Sequence, residues 1–347
     1  MNILRIIASR LYGLAVGVRN LLYDEHLLHS VRVDVPTICV GNLAVGGTGK
    51  TPHTEYIVDM LRKKGYSVAI LSRGYKRKTK GFVLADEHST AQSIGDEPMQ
   101  MHLHFPDVPM AVSENRVRGI HRLQKLYPGL HVVVLDDAYQ HRRLKCGYYI
   151  LLTAANQLYV YDHLLPWGNL REQRHGSMRA NMVVVSKCPK DMRPIDKRII
   201  HSTLRLLPYQ SLVFSEMHYD HLRPLYDSVN SPNEMKRPLV VTGIANPSYV
   251  WDYLQSQYND IVTYSRPDHY RYTDKDVSNL QALYQKEHCD GIITTEKDAV
   301  RLQTLPRLRE VFGGRVYVLP IRVAITEGED IFTKQIISYV TENNRNR

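Results

Sequence analysis

Short hydrophobic runs alternate along this chain with segments in which apolar residues recur at helical spacing. Wholly apolar runs rich in β-branched residues are typical of strands buried on both faces of a sheet. They predict strands at 36–41, 68–71, 108–112, 131–135, 149–153 and 182–186. Helical spacing predicts helices at 52–64 and 116–127. This alternation predicts a parallel sheet with helices on both faces, which is a three-layer α/β/α domain.

A second, smaller α/β unit is predicted after a stretch rich in Pro, Asn, Ser and Asp. Its strands are predicted at 239–243, 261–264 and 291–295, with helices at 247–257 and 274–287. The strand-like run 315–325 is predicted to pair with 211–217 as a two-stranded connector. The predicted divisions of the chain are an N-terminal helix at 1–30, a larger domain at 31–210, a linker at 211–235, the smaller domain at 236–330, and a C-terminal helix and tail at 331–347.

The N-terminal segment has apolar residues at a helical period, interrupted by Arg5, Arg10 and Arg19. Spanning a bilayer needs about 20 predominantly apolar residues, so this helix is too charged to cross. Two interpretations remain open. The helix packs its apolar face on its own domain, or it lies in a membrane interface with its arginines towards lipid headgroups.

The chain has 347 residues and a formal net charge of +10, which indicates an anionic partner: nucleic acid, anionic lipid or a phosphorylated substrate. The 23 tyrosines are not arranged in the aromatic-interleaved pattern of an RNA-binding module, so no nucleic-acid partner is expected. The four cysteines stand far apart, which is typical of reduced thiols rather than of a zinc site.

The strongest chemical signal is a glycine-rich turn between a predicted strand and a predicted helix. Successive backbone N–H groups of such a turn surround phosphate oxygens, the lysine neutralises their charge, and the hydroxyl that follows binds Mg²⁺. Ala44 stands where this motif has its first glycine, and we expect the doubled glycine to restore the turn. The predicted phosphate-binding residues are Val45, Gly46, Gly47, Thr48, Gly49, Lys50 and Thr51.

Two acids, Asp136 and Asp137, directly follow a predicted buried strand. In a P-loop fold a carboxylate at this edge of the sheet meets Mg²⁺ or its water shell. The alternative is that the acids cap the next helix. The metal interpretation is favoured because the strand follows a phosphate-binding loop.

A second pair of acids, Asp96 and Glu97, stands in a predicted Ser-Ile-Gly-Asp-Glu-Pro loop. A kinase that acts on a hydroxyl needs a carboxylate to orient and deprotonate it. A solvated loop is the alternative. Arg73, Arg118 and Arg171 belong to basic groups placed after predicted strands or at helix starts, the rim where α/β folds bind ligands.

Taken in order, the motifs V-G-N-L-x-V-G-G-T-G-K-T-P, L-S-R-G-Y, G-D-E-P, L-D-D-x-x-Q-H, L-P-W-G-N-L-R-E, P-D-H-Y and T-T-E-K-D resemble those of the tetraacyldisaccharide 4′-kinases of lipid A biosynthesis. They run from Val40 to Asp298, most of the chain. The resemblance implies a P-loop NTPase-like kinase that uses ATP and Mg²⁺ to phosphorylate a lipid A disaccharide precursor. It also implies an N-terminal helix on an anionic membrane surface, at the cytoplasmic face of the bacterial inner membrane.

The resemblance also implies roles for individual residues. Asp96 is the candidate base for the sugar hydroxyl, His269 from the second domain is its partner, and Lys50 and Arg171 take the nucleotide phosphates. We further expect this dyad to form fully only when the cleft closes. Candidate metal ligands are Thr51, Glu97, Asp136, Asp137 and Glu172. Candidates on the substrate side are Arg73, Arg118, Gln140 and His141.

Two departures from the family pattern are visible: Ala138-Tyr139 replaces the usual Gly-Phe, and Gln173 replaces a usual proline. A rival interpretation is a P-loop ATPase that acts as a switch or assembly factor. A switch needs no acidic loop paired with a histidine from a second domain. A nucleic-acid kinase, the third interpretation, predicts salt-sensitive oligonucleotide binding. No obligate protein partner is inferred.

Overall fold

A computed structural model describes residues 3–226 and 235–345, which form one nine-stranded and one five-stranded sheet with helices around them. The described helices are α1 (Ile3–Asp24), α2 (Lys50–Lys63), α3 (Ala91–Ile94), α4 (Asp96–His104), α5 (Arg116–Leu126), α6 (Pro194–Leu204), α7 (Ser248–Gln257), α8 (Asp274–Lys286), α9 (Glu296–Leu302), α10 (Pro306–Phe312) and α11 (Glu329–Arg345). The strands are β1 (Thr37–Asn42), β2 (Val68–Ser72), β3 (Val83–Leu84), β4 (Met110–Val112), β5 (Val132–Asp136), β6 (Tyr148–Ala154), β7 (Met182–Ser186), β8 (Ser211–Tyr219), β9 (Arg223–Pro224), β10 (Pro238–Thr242), β11 (Val262–Ser265), β12 (Gly291–Thr295), β13 (Val316–Leu319) and β14 (Ile321–Glu327).

The large sheet has the order β14-β8-β7-β6-β1-β5-β2-β4-β3, and only its outermost strands β14 and β3 pair antiparallel. Strand β1 lies between β5 and β6, and all its residues are buried. Its side chains alternate between two cores: Ile38 packs with residues of α2 and α11, whereas Cys39 packs with residues of α5 and α6. The predicted three-layer α/β/α architecture is therefore confirmed.

The five-stranded sheet, ordered β11-β10-β12-β13-β9, belongs to a second unit that is inserted into the first. The chain leaves the large sheet after Tyr219 and returns at Ile321, and these two residues are partners in the β8–β14 ladder. The predicted pairing of these strands is confirmed, since Val323 lies opposite Met217. They do not form a separate connector, because β8 also pairs with β7 and so extends the large sheet.

This topology changes the predicted division of the chain. The linker expected at 211–235 begins with a strand of the large sheet, and its residues 227–234 lie outside the described part. The run expected as one strand at 315–325 is divided at Pro320, with β13 in the small sheet and β14 in the large one. A proline lacks the N–H that a continuous ladder needs, so the strand changes sheets there.

Helix α1 docks on the large domain through its small and polar side chains. The Ser9 hydroxyl donates to the Leu164 carbonyl at 2.8 Å, and Gly13 is buried against the Leu164 side chain. The apolar side chains point away from the protein; those exposed over half or nearly half of their surface are Ile3, Leu4, Ile7, Leu11, Leu14, Val18 and Leu21. Helix α1 is thus docked on its own domain, as one interpretation predicted, but through its small and polar side chains and not through its apolar face. No helix within residues 3–226 and 235–345 is long and apolar enough to span a membrane.

A buried histidine joins the two units on the side of α4 and α9. His104 at the end of α4 contacts Glu55 of α2 at 2.9 Å and Glu296 of α9 at 2.8 Å. Arg223 of the second unit contacts the same Glu296 oxygen at 2.9 Å. Burial by itself lowers the pKa of His104, but the carboxylates of Glu296 and Glu55 outweigh it and raise that pKa to about 9. The Arg223 guanidinium also lies 2.7 Å from the His104 Nε2 atom. The contact between the units thus joins His104 to two carboxylates, and its raised pKa favours the charged form of the imidazole.

We expect this contact to make the stability of the protein depend on pH. A histidine whose pKa is raised on folding stabilises the folded state fully below its unfolded value of about 6.5, and this contribution is lost as the pH rises towards 9. Between pH 6.5 and 9 the free energy of unfolding should fall more in the wild type than in His104→Gln, by on the order of 3 kcal/mol. Urea unfolding at both pH values measures it. His88→Gln, at a histidine that is 86% exposed, is the control. An equal fall in the free energy of unfolding in all three proteins would contradict the prediction.

Candidate active site

The glycine-rich turn between β1 and α2 has the conformation expected of a phosphate-binding loop. Gly46 and Gly49 have positive φ angles of 107° and 84°, which side chains rarely adopt, and α2 begins at Lys50. Ala44, at the motif's missing glycine, has no positive φ and forms an antiparallel bridge with Leu170 instead. The left-handed conformations therefore fall on glycines, so an alanine at position 44 is tolerated.

Two cations converge beside this loop. The Lys50 ammonium lies 3.3 Å from the Asn42 side-chain oxygen and 3.8 Å from the Asp137 carboxylate. The Arg171 guanidinium donates to Asp137 at 2.9 Å and also to the side chain of Asn42. Both cations lie at the carboxyl ends of β1 and β5, where parallel sheets bind ligands. The arrangement offers two positive groups to a polyphosphate held by the loop.

The acids Asp136 and Asp137 lie at the end of β5, next to Lys50. Asp136 is fully buried and accepts from the hydroxyls of Thr54 and Ser72 at 3.3 and 3.4 Å. Burial, reinforced by the negative charges of Asp137 and Glu97, raises the pKa of Asp136 to about 7. Burial opposes ionisation of Asp137 as well, but the charges of Lys50 and Arg171 keep the pKa of that carboxyl below its ordinary value. The two acids thus repel one another, with Asp136 buried and the Asp137 side chain 35% exposed.

The carboxylates near the phosphate loop suit a magnesium ion, which also binds water and phosphate oxygens, better than a metal held by protein ligands alone. Within residues 3–226 and 235–345 no three His, Cys, Asp or Glu side chains form a ready metal cage. Mg²⁺ usually keeps several waters and is bound by one or two carboxylates together with substrate phosphates. The charges of Asp137 and Glu97 both act on Asp136, and these carboxylates are hard oxygen groups near the phosphate loop, where Thr51 occupies the first turn of α2.

Glu172, also proposed as a metal ligand, has a different set of partners. Its two oxygens accept from the Arg179 guanidinium at 2.8 and 2.9 Å, and its side chain is completely buried. Gln140 and Asn20 also donate to it, at 2.9 and 3.1 Å. These contacts use the carboxylate to hold α1 and the Arg171 loop in place. The role of Glu172 as a metal ligand stays a prediction.

Asp96 and Glu97 form the first turn of α4, not part of a loop as the sequence suggested. Gly95, with a φ of 100°, turns the chain so that a helix starts directly after it. Acids are favourable in the first turn because the backbone N–H groups there carry partial positive charge. The helix therefore fixes both carboxylates rigidly and buries Asp96.

His269 of the second unit reaches across to Asp96. Its Nδ1 atom lies 2.9 Å from the Asp96 Oδ2 atom, and the ring packs edge-on against Tyr75, with ring centres 5.4 Å apart. The backbone of His269 has a φ of 60°, an uncommon conformation for a residue other than glycine. Such conformations often persist at functional sites, where surrounding contacts maintain them. The pair expected on cleft closure is already in contact in this structure.

Lys297 at the start of α9 is a site residue to which the sequence analysis gave no role. Its ammonium contacts Glu97 at 2.9 Å, Asp268 at 3.1 Å and the His269 Nε2 atom at 3.1 Å. Against the effect of burial, the two carboxylates raise the pKa of Lys297. Its position in the T-T-E-K-D motif was the available signal, but no local pattern indicates which side chains a lysine of one domain meets in another.

The four candidates on the substrate side fall into two groups. Arg73 and Arg118 are exposed, after β2 and in the first turn of α5, and remain candidates for contact with an anionic substrate. Gln140 donates to the Asn42 carbonyl at 2.8 Å as well as to Glu172, so it braces the phosphate-loop strand. Burial and then the charge of Arg116 lower the pKa of His141 to about 4. A neutral imidazole is expected there.

One of the two sequence departures has a structural explanation. The Tyr139 ring is buried, and its hydroxyl donates to the Gly176 carbonyl at 2.8 Å. The Arg179 guanidinium lies 4.6 Å from the centre of this ring. The hydroxyl of a tyrosine has a hydrogen-bond partner at this position, whereas a phenylalanine would only pack there.

Comparison with known proteins gives concordant matches over the whole chain. The profile of a family described as "Tetraacyldisaccharide-1-P 4'-kinase" (LpxK) matches residues 1–341. A tetraacyldisaccharide 4'-kinase from Bacteroides thetaiotaomicron is 47% identical, covering 97% of this chain and 93% of that protein. One from Flavobacterium johnsoniae is 44% identical, covering 99% of each. A crystal structure of LpxK from Aquifex aeolicus in complex with ATP aligns with a TM-score of 0.76 at 28% identity, covering 96% of this chain and 98% of that one.

Proposed function

Because the chain belongs to the tetraacyldisaccharide 4′-kinase family, we propose that it transfers the γ-phosphate of ATP to the 4′-hydroxyl of the tetraacyldisaccharide 1-phosphate precursor of lipid A. The resemblance inferred from the motifs is confirmed by the matches over the full length. The observation that carries the proposal within this chain is the contact between Asp96 and His269, made across two domains beside a phosphate-binding loop. An ATPase switch has no need of such an acceptor apparatus.

The proposed reaction assigns complementary roles to the two sides of the site. Lys50 and Arg171 stabilise the negative charge of the polyphosphate as the γ-phosphoryl group moves. The acceptor oxygen forms a bond to this phosphorus while the bond to the bridging oxygen of ADP breaks. Asp96 takes the proton of the hydroxyl, and His269 keeps the carboxylate oriented towards the acceptor. Positioning and charge stabilisation account for most of the rate of such transfers.

We propose Mg²⁺ as the accompanying ion, with Asp136, Asp137, Glu97, Glu172 and Thr51 as the residues that would hold it or its water shell. When bound, Mg²⁺ neutralises charge on the β- and γ-phosphate oxygens. The support from this chain is that burial, together with the negative charges of Asp137 and Glu97, raises the pKa of Asp136 to about 7, and a divalent cation beside these carboxylates would favour their charged forms. The hydroxyl and carboxylate oxygens are the ligand types that Mg²⁺ prefers.

We further propose that the protein binds the membrane surface peripherally through α1, at the cytoplasmic face of the bacterial inner membrane. An apolar helix face without a protein partner is expected to be covered by another apolar phase, and the proposed substrate is itself a lipid. Arginines on α1 and a net charge of +10 favour an anionic bilayer. Tyr12 and Asn20 on the inner face bond to Arg171 and Glu172, so α1 lies directly beside the phosphate site.

Membrane binding is expected to fail when acidic side chains are placed on the outer face of α1. Leu11 and Leu14 are 63% and 66% exposed, so Leu11→Glu and Leu14→Glu should leave the fold intact. Each buried leucine contributes about 1.5–3 kcal/mol, so the double variant should bind vesicles at least about tenfold more weakly. Flotation with phosphatidylglycerol-containing vesicles measures this. Leu126→Glu is the matched control, because Leu126 of α5 is 53% exposed. If the α1 variant floats with vesicles as well as this control does, membrane binding through α1 is contradicted.

The function itself is tested by incubating the purified protein with ATP, Mg²⁺ and the tetraacyldisaccharide 1-phosphate in mixed micelles. The expected result is one ADP formed for each lipid that gains a phosphate at the 4′ position. Hydrolysis of ATP without a phosphorylated lipid would favour the ATPase switch instead. Tight, salt-sensitive binding of oligonucleotides in a parallel titration would favour a nucleic-acid enzyme.

A further inference from the structure

The imidazole of His269 lies between the carboxylate of Asp96 and the ammonium of Lys297, and its Nε2 atom is also 3.7 Å from Asp268 and 3.9 Å from Glu97. On one side its Nδ1 atom is 2.9 Å from the Oδ2 atom of Asp96. On the other side its Nε2 atom is 3.1 Å from the Nζ atom of Lys297. A neutral imidazole carries its proton on one nitrogen and accepts at the other, so its two neighbours decide which tautomer is present.

The charge of Lys297 determines the direction of these hydrogen bonds. Its ammonium forms ion pairs with Glu97 at 2.9 Å and with Asp268 at 3.1 Å. An ammonium group has three donors and no acceptor. The Nε2 atom of His269 must therefore accept, which places the ring proton on Nδ1, and the Nδ1–H group donates to Asp96.

We propose that Lys297 is a positioning residue, which fixes His269 as the Nδ1–H tautomer and through it aims the Asp96 carboxylate at the acceptor hydroxyl. The proposal rests on the kinase function proposed above. Both cross-domain contacts of Asp96 are made by its Oδ2 atom: the bond from His269, and the approach of the Arg301 guanidinium at 3.6 Å. The Oδ1 atom has no hydrogen bond from the described part of the chain and is the oxygen left for the substrate.

This tautomer limits what His269 can do. Its Nδ1 atom already carries a proton, so it cannot take another from Asp96, and its Nε2 lone pair is used by Lys297. The proton of the hydroxyl therefore stays on Asp96 during transfer, and His269 acts as a fixed donor. The uncommon backbone conformation of His269 and its contact with Tyr75 restrict the ring further.

The tautomer can be measured directly in the wild-type enzyme by ¹⁵N NMR of the His269 ring, with assignment by comparison with His269→Gln. The expected spectrum has a protonated, pyrrole-like Nδ1 and an unprotonated, pyridine-like Nε2. A protonated Nε2 in the wild type would overturn the proposal, whatever any variant does. This measurement needs no turnover, so it separates a failure of this inference from a failure of the proposed function.

The second part of the test uses Lys297→Met, which keeps the length of the side chain but removes the donor. We expect kcat to fall about 10–100-fold, as for other residues that orient a catalytic group, while the KM for ATP stays within about twofold. Lys297→Arg, which retains a cationic donor, should recover part of the loss. Lys275→Met, at an exposed lysine of the same domain, is the control.

The outcome is informative even where Lys297→Met folds poorly. Thermal unfolding is recorded for each variant, and if the methionine variant is unfolded, Lys297→Leu is the second variant that lacks the donor. The proposal predicts that a folded variant lacking the donor shows both tautomers of His269. A folded Lys297→Met enzyme with a single Nδ1–H tautomer and a normal kcat would overturn it.

Discussion

Replacing Lys50 with alanine is expected to lower phosphate transfer by a factor of about 10²–10³, equivalent to about 3–4 kcal/mol of transition-state stabilisation. The ammonium lies at the start of α2 beside the phosphate loop, 3.8 Å from Asp137, and no other lysine occupies the first turn of this helix. A charge that faces the developing negative charge of the γ-phosphoryl group stabilises the transition state more than the bound substrate. The loss should therefore appear in kcat as well as in kcat/KM.

The fold should tolerate the change, because the Lys50 side chain packs in neither core of the large domain. Asp137 also keeps its ion pair with Arg171 at 2.9 Å. Initial rates at saturating ATP and urea unfolding test both statements, with Lys63→Ala at the far, exposed end of α2 as the matched control. More than a tenth of the wild-type turnover in Lys50→Ala would count heavily against the role of this loop.

Replacing Asp96 or His269 with alanine is expected to lower kcat by about 10²–10⁴-fold while ATP binding changes little. Neither side chain contacts the phosphate loop, whereas the two contact each other at 2.9 Å. Because they act as a unit, the double variant should be barely slower than the slower single variant. ATP affinity, measured by calorimetry on each protein, provides the internal control.

The pattern of losses distinguishes the dyad from two separate contributions. Losses that multiply in the double variant would show that Asp96 and His269 act independently. A His269→Ala enzyme of normal rate would remove the histidine from the mechanism altogether. His221→Ala, at an exposed histidine of the second domain, reports on any general effect of losing an imidazole there.

The sequence was most informative where structure is decided by neighbouring residues. The strand, turn and helix around Lys50, and the strand that ends at Asp136, have bounds within a few residues of those predicted. Hydrophobic periodicity and glycine placement are local properties, so a single sequence contains them. The motifs added the family, which the full-length matches confirm.

Several features of the site depend on contacts between distant parts of the chain. No local pattern shows that Glu172 pairs with Arg179 and contacts α1, and Lys297 acquired a role only through its contact with His269. Asp96 was expected in a loop because a Gly-Asp-Glu-Pro sequence resembles a turn, yet a proline is compatible with a first helical turn as well. The spacing of apolar residues does not distinguish a loop from the first turn of a helix at this position.

The insertion of the second unit between β8 and β14 has a consequence for the order in which the protein can fold as it is synthesised. Strand β8 emerges from the ribosome early, but its edge partner β14 follows only after the whole second unit. Until then the N–H and C=O groups of that edge remain unpaired. Helix α11, which brings Phe332, Ile336 and Val340 into the core beside β1, is made later still. The second unit therefore has all its strands before the first unit does, so its sheet can be completed before the nine-stranded one.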